Sequence, residues 1–231
     1  MRTFLYIVLL LLLTECMTTK RMAKKYPSDI ITLGQGEESA VYLGINHVDI
    51  LKIKGMEFYH LFVIILLNNP AELEPDFAHR ASLFYDVNSR DFTDEEVVYY
   101  NKVNANRNTF WETTISASSE CAYDTTAGKL GNLTKVPNFD RIDNHKSGKR
   151  VFVKKIATND LETIKQILDY EKNYDNSLKY VLLPEASKKG YNSNSYFRGA
   201  LEYSGLIDSL EVPSCFKSPG LSKGVKVMSN K

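Results

Sequence analysis

Phe58 to Leu67, reading Phe-Tyr-His-Leu-Phe-Val-Ile-Ile-Leu-Leu, restricts the fold more than any other stretch of this chain. It carries a β-branched centre (Val63, Ile64, Ile65), and Asn68-Asn69-Pro70 breaks the chain directly after it. A helix needs roughly twenty apolar residues to span a bilayer, so this run is too short to do so. Consecutive β-branched side chains lose rotamer freedom in a helix and fit a pleated surface instead. Because side chains alternate across a strand, an uninterrupted apolar run places apolar groups on both faces. The segment is expected to be a central strand covered on both sides.

Other elements follow from local pattern. Ser39 to Ile45 is a strand candidate. From His47 to Ile53, Val48, Ile50, Leu51 and Ile53 are set against Asp49, Lys52 and Lys54, with Gly55 as a turn. Ala81–Val87, Phe110–Ile115 and Arg150–Ile156 read as further strands, and Lys179–Leu183 as a short one. Thr93 with Glu96 forms a capping box, with Phe92 and Val97 placed as a staple, predicting a helix to about Val103. Thr158-Asn159-Asp160 opens a second helix whose face is Leu161, Ile164 and Leu168. Asn192 can cap a third, with Phe197, Ala200, Leu201 and Ser204 at helical spacing and Gly205 as its stop. Between Asn104 and Lys149 the chain is polar and otherwise legible only at a glycosylation sequon, Asn132-Leu133-Thr134. The expectation is a single α+β domain over residues 30–212, mainly antiparallel sheet with about three packed helices, then an irregular tail over 213–231.

The N-terminus has the plan of a secretory signal: Met1-Arg2-Thr3, an apolar run from Phe4 to Leu13, and a polar exit at Thr14-Glu15-Cys16. Two readings of Cys16 stand. Leu13-Thr14-Glu15-Cys16 resembles a bacterial lipobox, of the relaxed kind in spirochaete lipoproteins, which implies cleavage before Cys16 and acylation of its thiol. Glu15 departs from that pattern, since a small residue normally precedes the cysteine. In the other reading an ordinary signal peptidase cuts after Cys16. Residues 17–29, with Lys20, Arg21, Lys24 and Lys25, then form a tether. With Cys16 removed or lipidated, Cys121 and Cys215 remain. In an oxidising compartment they either stay as two thiols or form a disulfide, worth roughly 4–5 kcal/mol through closure of a long loop.

Charge is balanced, 29 Lys and Arg against 28 Asp and Glu, which offers no electrostatic case for nucleic acid. No metal motif, phosphate loop or Gly-x-Ser-x-Gly elbow occurs, so neither a metal nor a cofactor is expected; Gly34-Gln35-Gly36 is a turn.

One constellation carries possible chemistry. His60 stands at the head of the apolar strand, and Gly190-Tyr191-Asn192-Ser193-Asn194-Ser195-Tyr196-Phe197 opens a helix much later. The free N–H groups at a helix start can stabilise an oxyanion. This order resembles the permuted papain-like amidases and the lecithin:retinol acyltransferase-like proteins, in which a strand histidine precedes an Asn-Cys helix start. The resemblance implies either Ser193 in the cysteine position as nucleophile with His60 as general base, or a dead site on a fold that binds; Asp86 on the Ala81–Val87 strand, or less directly His79, is the candidate to orient the ring, with Asn192 and Asn194 as binding groups. A similar Asn-Ser-Asn-Ser-aromatic stretch with a later Pro-Gly, here Pro219-Gly220, occurs in bacterial secreted proteins and toxin modules. The structural alternatives are a packed strand histidine and ordinary helix-capping residues. His47 and His145 are expected at exposed turns, and Tyr99-Tyr100 in helix packing. The sequence thus leads to an exported, lipid-anchored surface protein with a domain that binds an unidentified protein or small molecule. The alternative is a papain-like hydrolase or acyltransferase, acting as a secreted effector.

Overall fold

The computed structural model describes residues 31–32, 39–48, 58–67, 73, 85–86, 100–101, 111–120, 131–137, 150–158, 160–186, 190–214 and 216–227. Its strands are β1 (Ile31–Thr32), β2 (Ala40–Val48), β3 (Phe58–Leu67), β4 (Tyr85–Asp86), β5 (Tyr100–Asn101), β6 (Trp111–Ile115), β7 (Ala117–Ser119), β8 (Leu133–Lys135) and β9 (Arg150–Thr158). Two helices are described, α1 (Leu161–Asn173) and α2 (Ser193–Tyr203). The class is α+β, as expected.

The main sheet has the order β4-β6-β3-β2-β9, and every pairing in it is antiparallel. The apolar run is its central strand, and seven successive residues from Leu61 to Leu67 are buried. Its two faces do different work. Tyr59, Leu61, Val63, Ile65 and Leu67 share one core with Val41, Leu43 and Ile45 of β2, with Ile164, Ile167 and Leu168 of α1, and with Phe197, Ala200 and Leu201 of α2. His60, Phe62, Ile64 and Leu66 alternate with these and leave β3 on the face turned away from the helices.

The first strand candidate of the sequence continues without a break into the start of the second, as β2 through His47 and Val48, and residues 49–53 of the second lie outside the described residues. Gly44 permits this: the ring of Phe62 lies across it, and a Cβ there would come within 2.4 Å of that ring. His47 is half-buried inside β2 with its ring edge-on to Tyr59 at 5.7 Å, so it is not the exposed turn residue expected. Tyr100–Asn101 pairs in parallel with Ile31–Thr32, where a helix to Val103 was predicted. A capping box marks where a helix can start but not how far it runs, and tyrosine suits a strand. The rest of that helix lies outside the described residues. The polar region 104–149 contributes β6, β7 and β8, with β7 and β8 forming a separate antiparallel pair.

Both helices start where local signals place them. Asp160 caps α1, its carboxylate accepting from the Thr163 N–H at 2.8 Å. Asn192 caps α2, accepting from the Ser195 N–H at 3.1 Å, and Gly205 follows the end with φ 71°. Lys135 closes the other end of α1: its ammonium donates to the carbonyls of Glu171, Lys172 and Tyr174 at 2.7, 3.3 and 2.9 Å. These are among the last carbonyls of the helix, which lack partners within it.

The described residues after Pro213 form no helix or strand, and they are docked. Phe216 is buried against Tyr59 and Phe152, with ring centroids 4.9 and 5.5 Å apart. The Val225 N–H donates to the Ser195 carbonyl at 3.0 Å. Gly199 lets this segment approach α2, since a Cβ there would lie 2.2 Å from the Val225 carbonyl oxygen.

Candidate functional site

The start of α2 sits against the open end of β3. The ladder between β3 and β6 begins only at Val63 opposite Ile115, so Tyr59 and Leu61 lie beyond it. Their backbone groups are satisfied by other means. The Asn194 carboxamide accepts from the Leu61 N–H at 2.9 Å and donates to the Tyr59 carbonyl at 3.0 Å. It thereby replaces the peptide group that a neighbouring strand would have supplied. The Lys217 carbonyl accepts from the Tyr59 N–H at 3.0 Å.

Asn192 and Ser195 join the same network. The Asn192 amide donates to the carbonyls of Leu182 and Pro219 at 3.1 and 2.8 Å, and the Pro219 carbonyl also receives Asn194 at 3.0 Å. The Ser195 hydroxyl donates to the Gly220 carbonyl at 3.1 Å, and the Glu185 carboxylate accepts from the Gly220 N–H. Gly220 has φ 91°, and a Cβ on it would stand 2.0 Å from Asn192 Oδ1. The Asn-Ser-Asn-Ser stretch and the later Pro-Gly are therefore in contact, bonded through three side chains. Asn192, Asn194 and Ser195 are 5%, 3% and 0% exposed, and their side chains are engaged in these bonds.

Ser193 is the half-buried member of the stretch, and its hydroxyl is hydrogen-bonded to Tyr180. Burial pushes the Tyr180 phenol above its usual range, and the Ser193 contact partly offsets that rise. His60 has a different hydroxyl beside it: its Nε2 is 3.0 Å from Ser116 Oγ, and its ring stacks on Phe62 at 5.9 Å with planes 19° apart. Ser193 and His60 are thus not a bonded pair. The histidine leaves β3 on the face away from α2, where Ser193 begins, so the expected dyad is not assembled. Strand alternation held the clue, since Tyr59 and Leu61 on either side of His60 face the helices. Asp86 lies in β4 opposite Trp111 in the register. Cys16, His79, Cys121, His145 and Cys215 lie outside the described residues.

Ser116 escaped the sequence reading because it lies in the polar region between Asn104 and Lys149, where no local pattern distinguishes it. It occupies the joint between β6 and β7 and is 2% exposed. Among the described residues, no three His, Cys, Asp or Glu side chains are grouped to hold a metal. None of the described helices is long and apolar enough to cross a membrane. No family model matches the chain, and no curated protein or solved structure matches it either.

Proposed function

We propose that this is an exported protein, held at a membrane surface by a lipid on Cys16, whose α+β domain binds a protein or small-molecule ligand. The observation that supports a binding role is the wiring of the α2 start. Its asparagines and Ser195 join β3, α2 and the C-terminal segment, so the polar groups that resemble an active site serve to make a rigid platform. The anchor rests on Leu13-Thr14-Glu15-Cys16 and on the polar, basic tether that follows. A single acyl chain gives only marginal membrane attachment, so the triacyl pattern of a lipoprotein would be needed for stable anchoring. Growth of the expressing cells with an alkyne fatty-acid analogue is expected to label the protein and to leave Cys16→Ala unlabelled. An unlabelled wild type whose mature chain begins at residue 17 would replace anchoring with plain secretion.

A further inference from the structure

The face of the sheet turned away from the helices holds a second polar arrangement. Register places Glu112 opposite Leu66 and Thr114 opposite Ile64, so both project on the face of His60 and Phe62. Ser116 continues that alternation, and Asn46 stands directly across from His60 on β2. Glu112, Thr114, Ser116 and Asn46 are 0%, 0%, 2% and 3% exposed, whereas His60 is only half-buried. Burial of polar side chains opposes folding unless each is bonded, and apolar residues would fill the same positions without that demand. Within this row a hydroxyl and an imidazole nitrogen already stand at 3.0 Å. Stacking on Phe62 holds the ring plane, and His60 is the half-buried member of this otherwise buried row.

We propose that Ser116 and His60 form a nucleophile and general-base pair for acyl transfer from an ester or amide. The Ser116 oxygen forms a bond to the substrate carbonyl carbon while its proton passes to His60 Nε2. The tetrahedral intermediate collapses, and the leaving alcohol or amine departs with that proton, leaving an acyl-serine. Water then attacks the acyl carbon and gives a proton to His60. Cleavage of the acyl–oxygen bond releases the acid, as His60 returns the proton to Ser116. The site lies on the opposite sheet face from the α2 network and does not depend on the binding role proposed above.

The test is a fluorophosphonate probe on the full chain, with the adduct located by peptide mass. The expected result is one adduct, on Ser116, undiminished in Ser193→Ala and slowed about 100-fold in His60→Gln, within the range that general-base assistance supplies. No adduct on the wild type, an adduct on another residue, or an unchanged rate in His60→Gln would overturn the proposal. Ser116→Cys gives an arm that does not depend on tolerance of a deletion. Its introduced thiol should react with iodoacetamide about tenfold faster when His60 is present than in Ser116→Cys/His60→Gln, because a neighbouring imidazole can take up the thiol proton and favour the thiolate. Equal rates would overturn it. None of these outcomes bears on fatty-acid labelling at Cys16, so failure here leaves the anchor reading intact.

Discussion

Asn194 shows how a residue nominated for binding is occupied by the fold. Its carboxamide has three partners, two on β3 and one on the C-terminal segment. Asn194→Ala removes them all and leaves buried backbone groups of Tyr59 and Leu61 without that partner. The expected loss is about 3 kcal/mol in urea unfolding, since an unmatched buried polar group costs about 1–3 kcal/mol. Asn194→Asp separates shape from donation: it can still accept from Leu61 but cannot donate to Tyr59 or Pro219, so it too should be destabilised. A variant as stable as the wild type would mean that the β3 edge is satisfied otherwise. Gly220→Ala attacks the same network from the other side. Its φ of 91° is costly for a residue with a Cβ, and that Cβ would meet Asn192 Oδ1 at 2.0 Å. A loss of about 2 kcal/mol is expected in the same assay.

At the scale of elements, legibility followed range. The caps of α1 and α2, the stop at Gly205 and the burial of Leu61–Leu67 were all readable, because each depends on a few neighbours in sequence. The continuation of β2 through His47, the bonding of His60 to Ser116 and the capping of α1 by Lys135 depend on partners far along the chain, and local pattern is silent on them. Asp160 gives the most direct test of a local cap. Bonds from the Thr163 hydroxyl and N–H hold its carboxyl below the usual carboxylate range. The unfolded chain therefore takes up the proton at a higher pH than the folded one. The cap's stabilisation is complete well above the unfolded pKa of about 3.9 and is lost as pH falls through the lower folded value. Asp160→Ala should cost about 1 kcal/mol at neutral pH. Asp160→Asn should keep most of that and lose part of the acid dependence, read from melting temperatures between pH 2 and pH 7. Equal acid dependence in the two proteins would remove Asp160 as its source.

For the whole molecule, the C-terminal segment decides whether the domain closes. Composition marked residues 213–231 as a tail, yet Phe216 enters the core, Lys217 extends the hydrogen bonding of β3, and Pro219 and Gly220 receive the α2 side chains. Farther on, Arg198 donates to the Leu221 carbonyl at 2.9 Å, and the Tyr170 hydroxyl donates to the Val225 carbonyl at 3.3 Å. Composition conceals this role, because Phe216 and Val225 are few among polar neighbours and these hydrogen bonds run through backbone carbonyls, which every residue type supplies. Ending the chain at Val212 should therefore destabilise one end of the central strand first. Hydrogen exchange separates the two ends. The Tyr59 amide, held by Lys217, should lose its protection in the truncated chain, while residues 63–67, paired with β6, keep theirs for as long as the sheet survives. If Tyr59 exchanges as slowly without the segment as with it, the tail is an appendage, and α2 and the sheet hold together unaided. If all of β3 exchanges at the rate of an unfolded chain, the segment is required for the whole domain.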